Sequence, residues 1–184
     1  MQLAGKLIVA MPAMGDARFA RSVILLCAHG ADGAMGLIVN KPAPDFSFSK
    51  LLTQLKIARQ DNGRDIRVHF GGPVERGRGF VLHSDDYVRA GATTQVQGGY
   101  GMTATLDVLE AIAQGAGPRR ALLALGYAGW AAGQLEAEIA RNDWLVSDPA
   151  EDLIFSASDA AKWTGALRHM GIDPISLSSS AGRA

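Results

Sequence analysis

Three apolar runs dominate the first forty residues and predict three β-strands. They cover Lys6 to Met11, Ser22 to Ala28 and Met35 to Asn40. The Asp32-Gly33 pair between the second and third runs is a turn signal, so residues 22–40 are predicted to form an antiparallel β-hairpin. Because the run SVILLCA is apolar at consecutive positions, its strand is expected at the centre of a sheet, covered on both faces.

Apolar residues at helical spacing predict three helices in the rest of the chain. The first covers residues 48–57 behind a serine cap at Ser47 or Ser49, the second covers residues 105–114, and the third runs from Ser158 to Gly171. The positions that set this spacing are Leu51, Leu52, Leu55, Leu106, Leu109, Ile112, Trp163, Leu167 and Met170.

Shorter apolar runs between these helices predict further strands, separated by glycine-rich loops. The strands are Val68 to Phe70, Phe80 to His83, Thr93 to Gln97 and Leu153 to Phe155. The sequences GGPVERGRG at 71–79 and GGYG at 98–101 are predicted to be loops, since glycine clusters punctuate regular structure.

The stretch from Arg120 to Leu145 organises the second half of the chain. Leu122 to Leu125 predicts a buried strand, the glycines after it predict a turn, and Leu135 and Ile139 predict one face of a helix. This order of elements indicates an α+β protein with a mixed sheet. One domain is expected over residues 1–178, with 179–184 as a frayed tail.

Composition narrows the classes of function without selecting one. The 184 residues carry 18 basic and 18 acidic side chains, so no overall charge attracts nucleic acid or an anionic membrane. Cys27 is the single cysteine, which favours a cytoplasmic location, and no apolar run reaches the length of a membrane span. Six acidic residues and only Arg141 occupy 129–152, as in a solvated helix face or an acidic docking surface.

Four long segments in the same order make the chain resemble the YqgE/AlgH family of small bacterial proteins. They are GKLIVAMPAMGDARFARSVILLCAH, GAMGLIVNKP, HFGGPVERGRGFVLH and LLALGYAGWAAGQLEAEIARNDWL. The resemblance implies a bifurcated mixed sheet, curled into a pseudo-barrel with flanking helices. It implies no established reaction. Some members are labelled transcriptional regulators, and members are often encoded beside a resolvase-like nuclease, which suggests a partner.

The segment from Gly71 to His83 is the strongest candidate for a site. Gly71, Gly72 and Pro73 would let the backbone turn tightly, and Arg78 lies between two glycines, where its guanidinium could bind a carboxylate or phosphate. Alternatively, the glycines serve only a connection between strands. The candidate residues for a ligand or partner are Gly71, Gly72, Pro73, Arg78, His83 and Trp130.

Other chemistry has weaker support. Cys27 lies in an apolar strand and is expected to be structural, although His29, His69 or His83 could act as its base. His69 and His83 with Asp85 and Asp86 lack the spacing of a metal motif, and neither nucleotide fingerprint is present, so neither metal nor cofactor is expected.

The sequence therefore favours a non-enzymatic binding or regulatory module that acts through a protein partner or a small anionic ligand. The alternative is an unrecognised enzyme with its site around Gly71 to His83. No sequence-specific binding to duplex DNA is expected, because basic and acidic residues alternate around Arg76 and Arg78.

Overall fold

The computed structural model describes residues 2–179, and within them nine strands form one mixed sheet. The strand order is β6-β7-β5-β8-β3-β2-β1-β9, with β4 paired to β8 beside this path. The strands are β1 Leu7–Ala10, β2 Val23–Gly30, β3 Gly33–Ile38, β4 Val68–Phe70, β5 Val74–Ser84, β6 Thr93–Val96, β7 Tyr100–Thr103, β8 Ala121–Ala131 and β9 Trp144–Ser147.

Six α-helices and one short 3-10 helix, Ala17–Phe19, flank this sheet in the described part of the chain. Of the two serines predicted as the cap of α1, Ser47 takes this position and accepts a hydrogen bond from the backbone N–H of Lys50. The α-helices are α1 Phe48–Gln54, α2 Leu106–Ala113, α3 Gln134–Ala140, α4 Glu151–Ile154, α5 Asp159–His169 and α6 Pro174–Ser179. The predicted tail at 179–184 lies outside the described residues apart from Ser179, so it stays a prediction.

The predicted hairpin over residues 22–40 is confirmed. Strands β2 and β3 pair antiparallel, with Ile24 opposite Ile38 and Leu25 opposite Leu37. Strand β2 lies between β1 and β3, and Val23 to Leu26 are fully buried. Alternate side chains enter the core clusters on the two faces of the sheet, which explains the continuous apolar run.

Three sequence predictions about irregular segments are wrong. The predicted loop GGPVERGRG contains the first half of strand β5, and the predicted loop GGYG contains the start of strand β7. The predicted turn after Leu125 continues as strand β8 to Ala131. In each segment glycines lie within strands where backbones approach closely, a use that a turn signal does not distinguish.

The predicted strand Leu153 to Phe155 is also wrong, because helix α4 occupies Glu151–Ile154. Its first turn carries Glu151 and Asp152, whose carboxylates are favourable at the positive end of a helix dipole. Three apolar residues alone do not separate a short strand from a short helix.

Strand β8 is central to the fold because two parts of the sheet share it. Its first half pairs with β5 and, in parallel, with β4, where Val68 lies opposite Leu123. Its second half pairs with β3, where Gly36 lies opposite Ala128. The sheet therefore bifurcates along β8, and it curls into a half-barrel with helices at its flanks.

The chain crosses β8 at Gly71 and Gly72, between β4 and β5. The N–H of Gly71 donates to Leu125 O at 2.8 Å, and the Gly71 carbonyl accepts from the N–H of Ile38 at 2.9 Å. A Cβ on Gly72 would overlap the Tyr127 carbonyl group, and a Cβ on Gly126 would lie 2.5 Å from Gly72 O. These glycines permit a backbone contact that no larger residue allows.

We expect Gly72→Ala to lower the free energy of unfolding by about 2–4 kcal/mol, because its methyl group must push two backbones apart. Gly77→Ala is the matched control. Its Cβ would meet no heavy atom within 4 Å, so its effect should stay within about 0.5 kcal/mol. Denaturant titration of both variants measures the difference, and equal stabilities would contradict the role of this crossing.

Candidate binding site

Strand β5 opens with a bulge that projects from the sheet. Val74 pairs with Tyr127 and Gly79 pairs with Leu125, so residues 75–78 lie opposite Gly126 alone. Glu75 adopts a left-handed φ of 48°, which is uncommon for a residue other than glycine. The bulge from Val74 to Arg78 is exposed, whereas Phe80 to Ser84 on the same strand are buried.

Two arginines of the bulge are held over aromatic rings. The Arg76 guanidinium lies 5.3 Å from the centroid of the Phe70 ring, and that of Arg78 lies 4.9 Å from the centroid of Phe80. Arg78 Nη1 is also 3.4 Å from the Glu75 carboxylate, although both side chains stay about half exposed. Stacking positions both guanidinium groups and leaves their edges accessible to hydrogen-bond acceptors.

A concave apolar surface lies beside this bulge and encloses a volume of about 850 Å³. Its floor is formed by Met35, Phe80, Met102 and Tyr127, all of which belong to or pack against the main core cluster of the sheet. The rim carries polar and aromatic groups from the β2–β3 hairpin, the bulge and β8, namely His29, Asp32, Arg78 and Trp130. Partly buried methionines on a concave surface are typical of adaptable protein-binding sites.

A second concavity, of about 400 Å³, lies where Pro73 and Trp130 meet the 3-10 helix and α3. Glu138 Oε2 accepts hydrogen bonds from the indole N–H groups of Trp130 and Trp144, each at 2.9 Å. The Trp130 ring packs edge-on against Trp144 with centroids 6.0 Å apart. Trp130 is therefore fixed by polar and aromatic contacts, and only its edge reaches the surface.

The structure brings together some of the predicted site residues and separates others. Arg78 and Trp130 line the concave apolar surface, and Pro73 lines the second concavity with Trp130. Gly71 and Gly72 are buried against β8. The close approach of the two backbones at this crossing explains why both positions are glycine.

His83 lies apart from the bulge, fully buried near the other end of β5. Its Nε2 lies 2.8 Å from Thr103 Oγ1, and its Nδ1 lies 2.7 Å from Ser84 O. Burial lowers the pKa of His83, and the hydrogen bond to the Ser84 carbonyl opposes this only in part. Both ring nitrogens form hydrogen bonds within the protein, so His83 has a structural role.

Cys27 and the histidines do not assemble a nucleophilic site. The Cys27 thiol contacts Leu25 O at 3.7 Å, and burial raises its pKa to about 12. His29 Nε2 lies 2.8 Å from Glu136 Oε1. Among the described residues, no group of three or more His, Cys, Asp or Glu side chains is placed to hold a metal ion.

A buried charged cluster on α5 was missed in the sequence. The Asp159 carboxylate lies 3.0 Å from His69 Nε2, 2.9 Å from Lys162 Nζ and 2.5 Å from Arg67 Nη2. Lys162 is only 1% exposed and also donates to Val39 O and Ile154 O. Asp159 and Lys162 are three residues apart on a helix, but His69 is 90 residues away in sequence, so no local pattern marks the cluster.

Burial is the main cause of the pKa shifts of Lys162 and His69 in this cluster. Desolvation lowers the pKa of Lys162 and of His69, and Asp159 opposes both shifts in part. For Asp159 itself, burial alone would raise the pKa, but hydrogen bonds from Lys162 and His69 outweigh it and the pKa is lowered. His69 is therefore held neutral and Asp159 ionised. Among the described residues, His69 Nδ1 has no hydrogen-bond partner.

Fold and surface together define a single α+β domain with a bifurcated, curled sheet and an exposed bulge between two concavities. The chain matches a family model described as AlgH-like over residues 7–175, and it belongs to that family. A UPF0301 protein of Cereibacter sphaeroides is 64% identical over 184 residues, covering 100% of both chains. Another, from Ruegeria pomeroyi, is 56% identical and also covers 100% of both chains. These names state no activity.

Two solved structures share the fold. The solution structure of the AlgH protein from Pseudomonas aeruginosa has a TM-score of 0.79 at 37% identity, covering 100% of this chain and 97% of that one. A crystal structure of a Corynebacterium diphtheriae protein has a TM-score of 0.73 at 22% identity, covering 91% and 87%. The expected α+β pseudo-barrel is confirmed. Within the described residues, no helix has both the length and the apolar character to cross a membrane.

We expect the free energy of unfolding to fall as the pH is lowered from about 7.5 to 5.5. Burial holds the pKa of His69 and His83 below the ordinary value of 6.5, so the unfolded chain takes up protons first as the pH falls. Denaturant titration across this range should show a smaller slope for His83→Asn than for the parent protein. His169→Asn, on an exposed position of α5, is the control, and an identical slope in all three proteins would contradict this account.

A double-mutant cycle should show strong coupling between Asp159 and Lys162. Asp159→Asn leaves a buried ammonium without its counter-ion, so we expect a loss of about 3–5 kcal/mol in the free energy of unfolding. Lys162→Met should cost less, because Asp159 keeps His69 and Arg67. The double variant should be more stable than the sum of the two losses predicts, and strict additivity would show that the ion pair is not coupled.

Proposed function

We propose that this protein is a non-enzymatic binding module. It engages a protein partner through the bulge Val74 to Arg78 and the concave apolar surface beside it, and any regulatory effect passes through that partner. The observation that carries the proposal is the bulge itself, which exposes Val74 at 37% and holds two arginines over aromatic rings next to an apolar concavity.

The composition of this surface suits a protein partner. Aromatic residues, methionine and arginine are enriched in the buried centres of protein interfaces, and all three surround the concavity as Phe80, Tyr127, Met35, Met102 and Arg78. Arg76 and Arg78 are already positioned by stacking, so less side-chain freedom is lost when a carboxylate binds them. An apolar segment that carries an acidic residue would fit this arrangement.

The enzyme alternative needed His83, Arg78 and Trp130 in one pocket with a strongly perturbed titrating group. His83 is instead bonded to Ser84 and Thr103 in the core and does not line the surface that Arg78 and Trp130 share. No specific observation therefore favours a reaction at this place.

The transcriptional label found in the family fits an indirect effect best. Specific binding to a duplex needs side chains that reach base edges and several phosphate contacts. The bulge offers two arginines beside Glu75, which is a small basic surface compared with the several phosphate contacts that a duplex needs. The proposal therefore includes no sequence-specific DNA binding, and a cytoplasmic location accords with the single cysteine.

The test measures partner affinity with purified components. The first candidate is the resolvase-like nuclease that the family resemblance suggests, and further candidates come from capture on the full chain and mass spectrometry. Each is then purified and titrated by calorimetry. Val74→Asp and Arg76→Ala should weaken binding at least about tenfold, since Val74 lines the concave apolar surface and Arg76 lies on the bulge beside it.

Val88→Asp and Arg168→Ala are the matched controls. Val88 is 58% exposed in a loop away from the bulge, and Arg168 is exposed on α5. Both should bind within about twofold of the parent protein. A reconstituted partner that binds all four variants equally would place the interface elsewhere and overturn the proposal.

A further inference from the structure

An aliphatic groove of about 310 Å³ lies between α1 and α2, on the far side of the bulge from the concave apolar surface. Its floor is formed by Val81 of β5 and by two leucines of β8. Its walls are formed by Leu51 of α1, by Leu55 directly after α1, and by two leucines of α2. Leu55 and Leu106 at its edges are 36% and 49% exposed. The six leucines that line it are Leu51, Leu55, Leu106, Leu109, Leu123 and Leu125. The buried floor and the exposed edges together form an apolar concavity, the kind of surface on which small ligands bind.

Two glycines line this groove although the backbone does not require them. Neither Gly77 nor Gly79 has a positive φ, so other residues could adopt their conformations. A Cβ on Gly77 would meet nothing within 4 Å, and one on Gly79 would make ordinary contact with Leu123 Cδ1 at 3.4 Å. A side chain at Gly79 would thus occupy the groove, and glycine leaves that volume accessible.

One end of the groove is polar and positively charged. Arg78 is the one ionisable residue among those that line it. The register that pairs Val81 with Thr103 brings Thr105 next to Gly79. Thr105 is the N-cap residue of α2, and its side chain forms no capping hydrogen bond. Arg78 and the N-terminus of α2 therefore both border this end, and a guanidinium and helix N–H groups each favour a carboxylate.

We propose that this groove binds a linear aliphatic carboxylate, a medium-chain fatty acid, with its chain over the leucines and its carboxylate at Arg78. No aromatic residue lines the groove, so nothing there stacks on a ring or a nucleobase. At about 30 Å³ for each water-sized group, 310 Å³ holds about ten non-hydrogen atoms, which is the size of octanoate. A single guanidinium matches a single negative charge.

The first test is a chain-length series on the full chain by calorimetry, with leucine-methyl NMR to locate the ligand. Hexanoate, heptanoate and octanoate, all below their micelle concentrations, should bind about fourfold more tightly for each added methylene group. Octanol should bind more weakly than octanoate, because it offers no carboxylate to Arg78. Methyl shifts should centre on Leu106 and Leu123. Affinity that does not depend on chain length, or shifts spread over the whole protein, would overturn the proposal.

The second test uses variants that separate the groove from the partner surface. Gly79→Val fills the groove and should weaken octanoate binding at least about tenfold while the protein still melts cooperatively. Leu106→Gln, at an exposed position, should also weaken it. Arg78→Gln should keep octanol binding and lose the preference for octanoate. Val88→Gln is the control and should bind octanoate as the parent protein does.

Full octanoate binding by Gly79→Val and Leu106→Gln together would exclude this groove. A peptide that ends in leucine and its free carboxylate is the competing ligand. If that peptide binds and octanoate does not, the fatty-acid proposal fails. The result does not depend on the proposed partner surface, because Val74→Asp alters that surface and leaves the groove intact, whereas Gly79→Val does the reverse.

Discussion

The close approach of two backbones at Gly72 and Gly126 is the constraint on which the rest of the structure depends. It lets the chain cross β8 between β4 and β5, and it lets β8 change partners from β4 to β3 within a few residues. Without a side chain between them, the two parts of the sheet share one strand. The curl of the sheet, and with it the position of every surface beside β5, follows from this contact.

The sequence could predict the core but not the crossing, for a physical reason. Buried strands such as Val23 to Cys27 need apolar residues at consecutive positions, and that pattern is visible along the chain. The crossing at Gly72 and the bulge from Val74 to Arg78 need small or exposed residues, which are also typical of loops. Glycine and charge therefore indicate irregular structure in the sequence, although the segment belongs to a long strand.

The candidate site could be predicted in part for the same reason. Arg78 and Trp130, two of the candidate residues, line one concave surface, since both lie near the point where β5 and β8 pair. The aliphatic groove and the cluster around Asp159 were missed because they combine residues from distant segments. His69 and Asp159 are 90 positions apart and meet only when α5 packs against the sheet. Such clusters depend on tertiary geometry, which local periodicity does not encode.

Arg78 borders both the concave apolar surface and the aliphatic groove, and this position couples the two proposed sites. One guanidinium forms one bidentate pair with a carboxylate at a time. In the free protein, Glu75 offers the nearest carboxylate, at 3.4 Å and in contact with solvent, so this pair is weak and easily exchanged. A fatty-acid carboxylate and an acidic partner residue would therefore compete for the same cation, and each would lower the affinity of the other. Thermodynamic linkage makes this effect reciprocal, so a ligand in the groove would regulate partner binding without any change in fold.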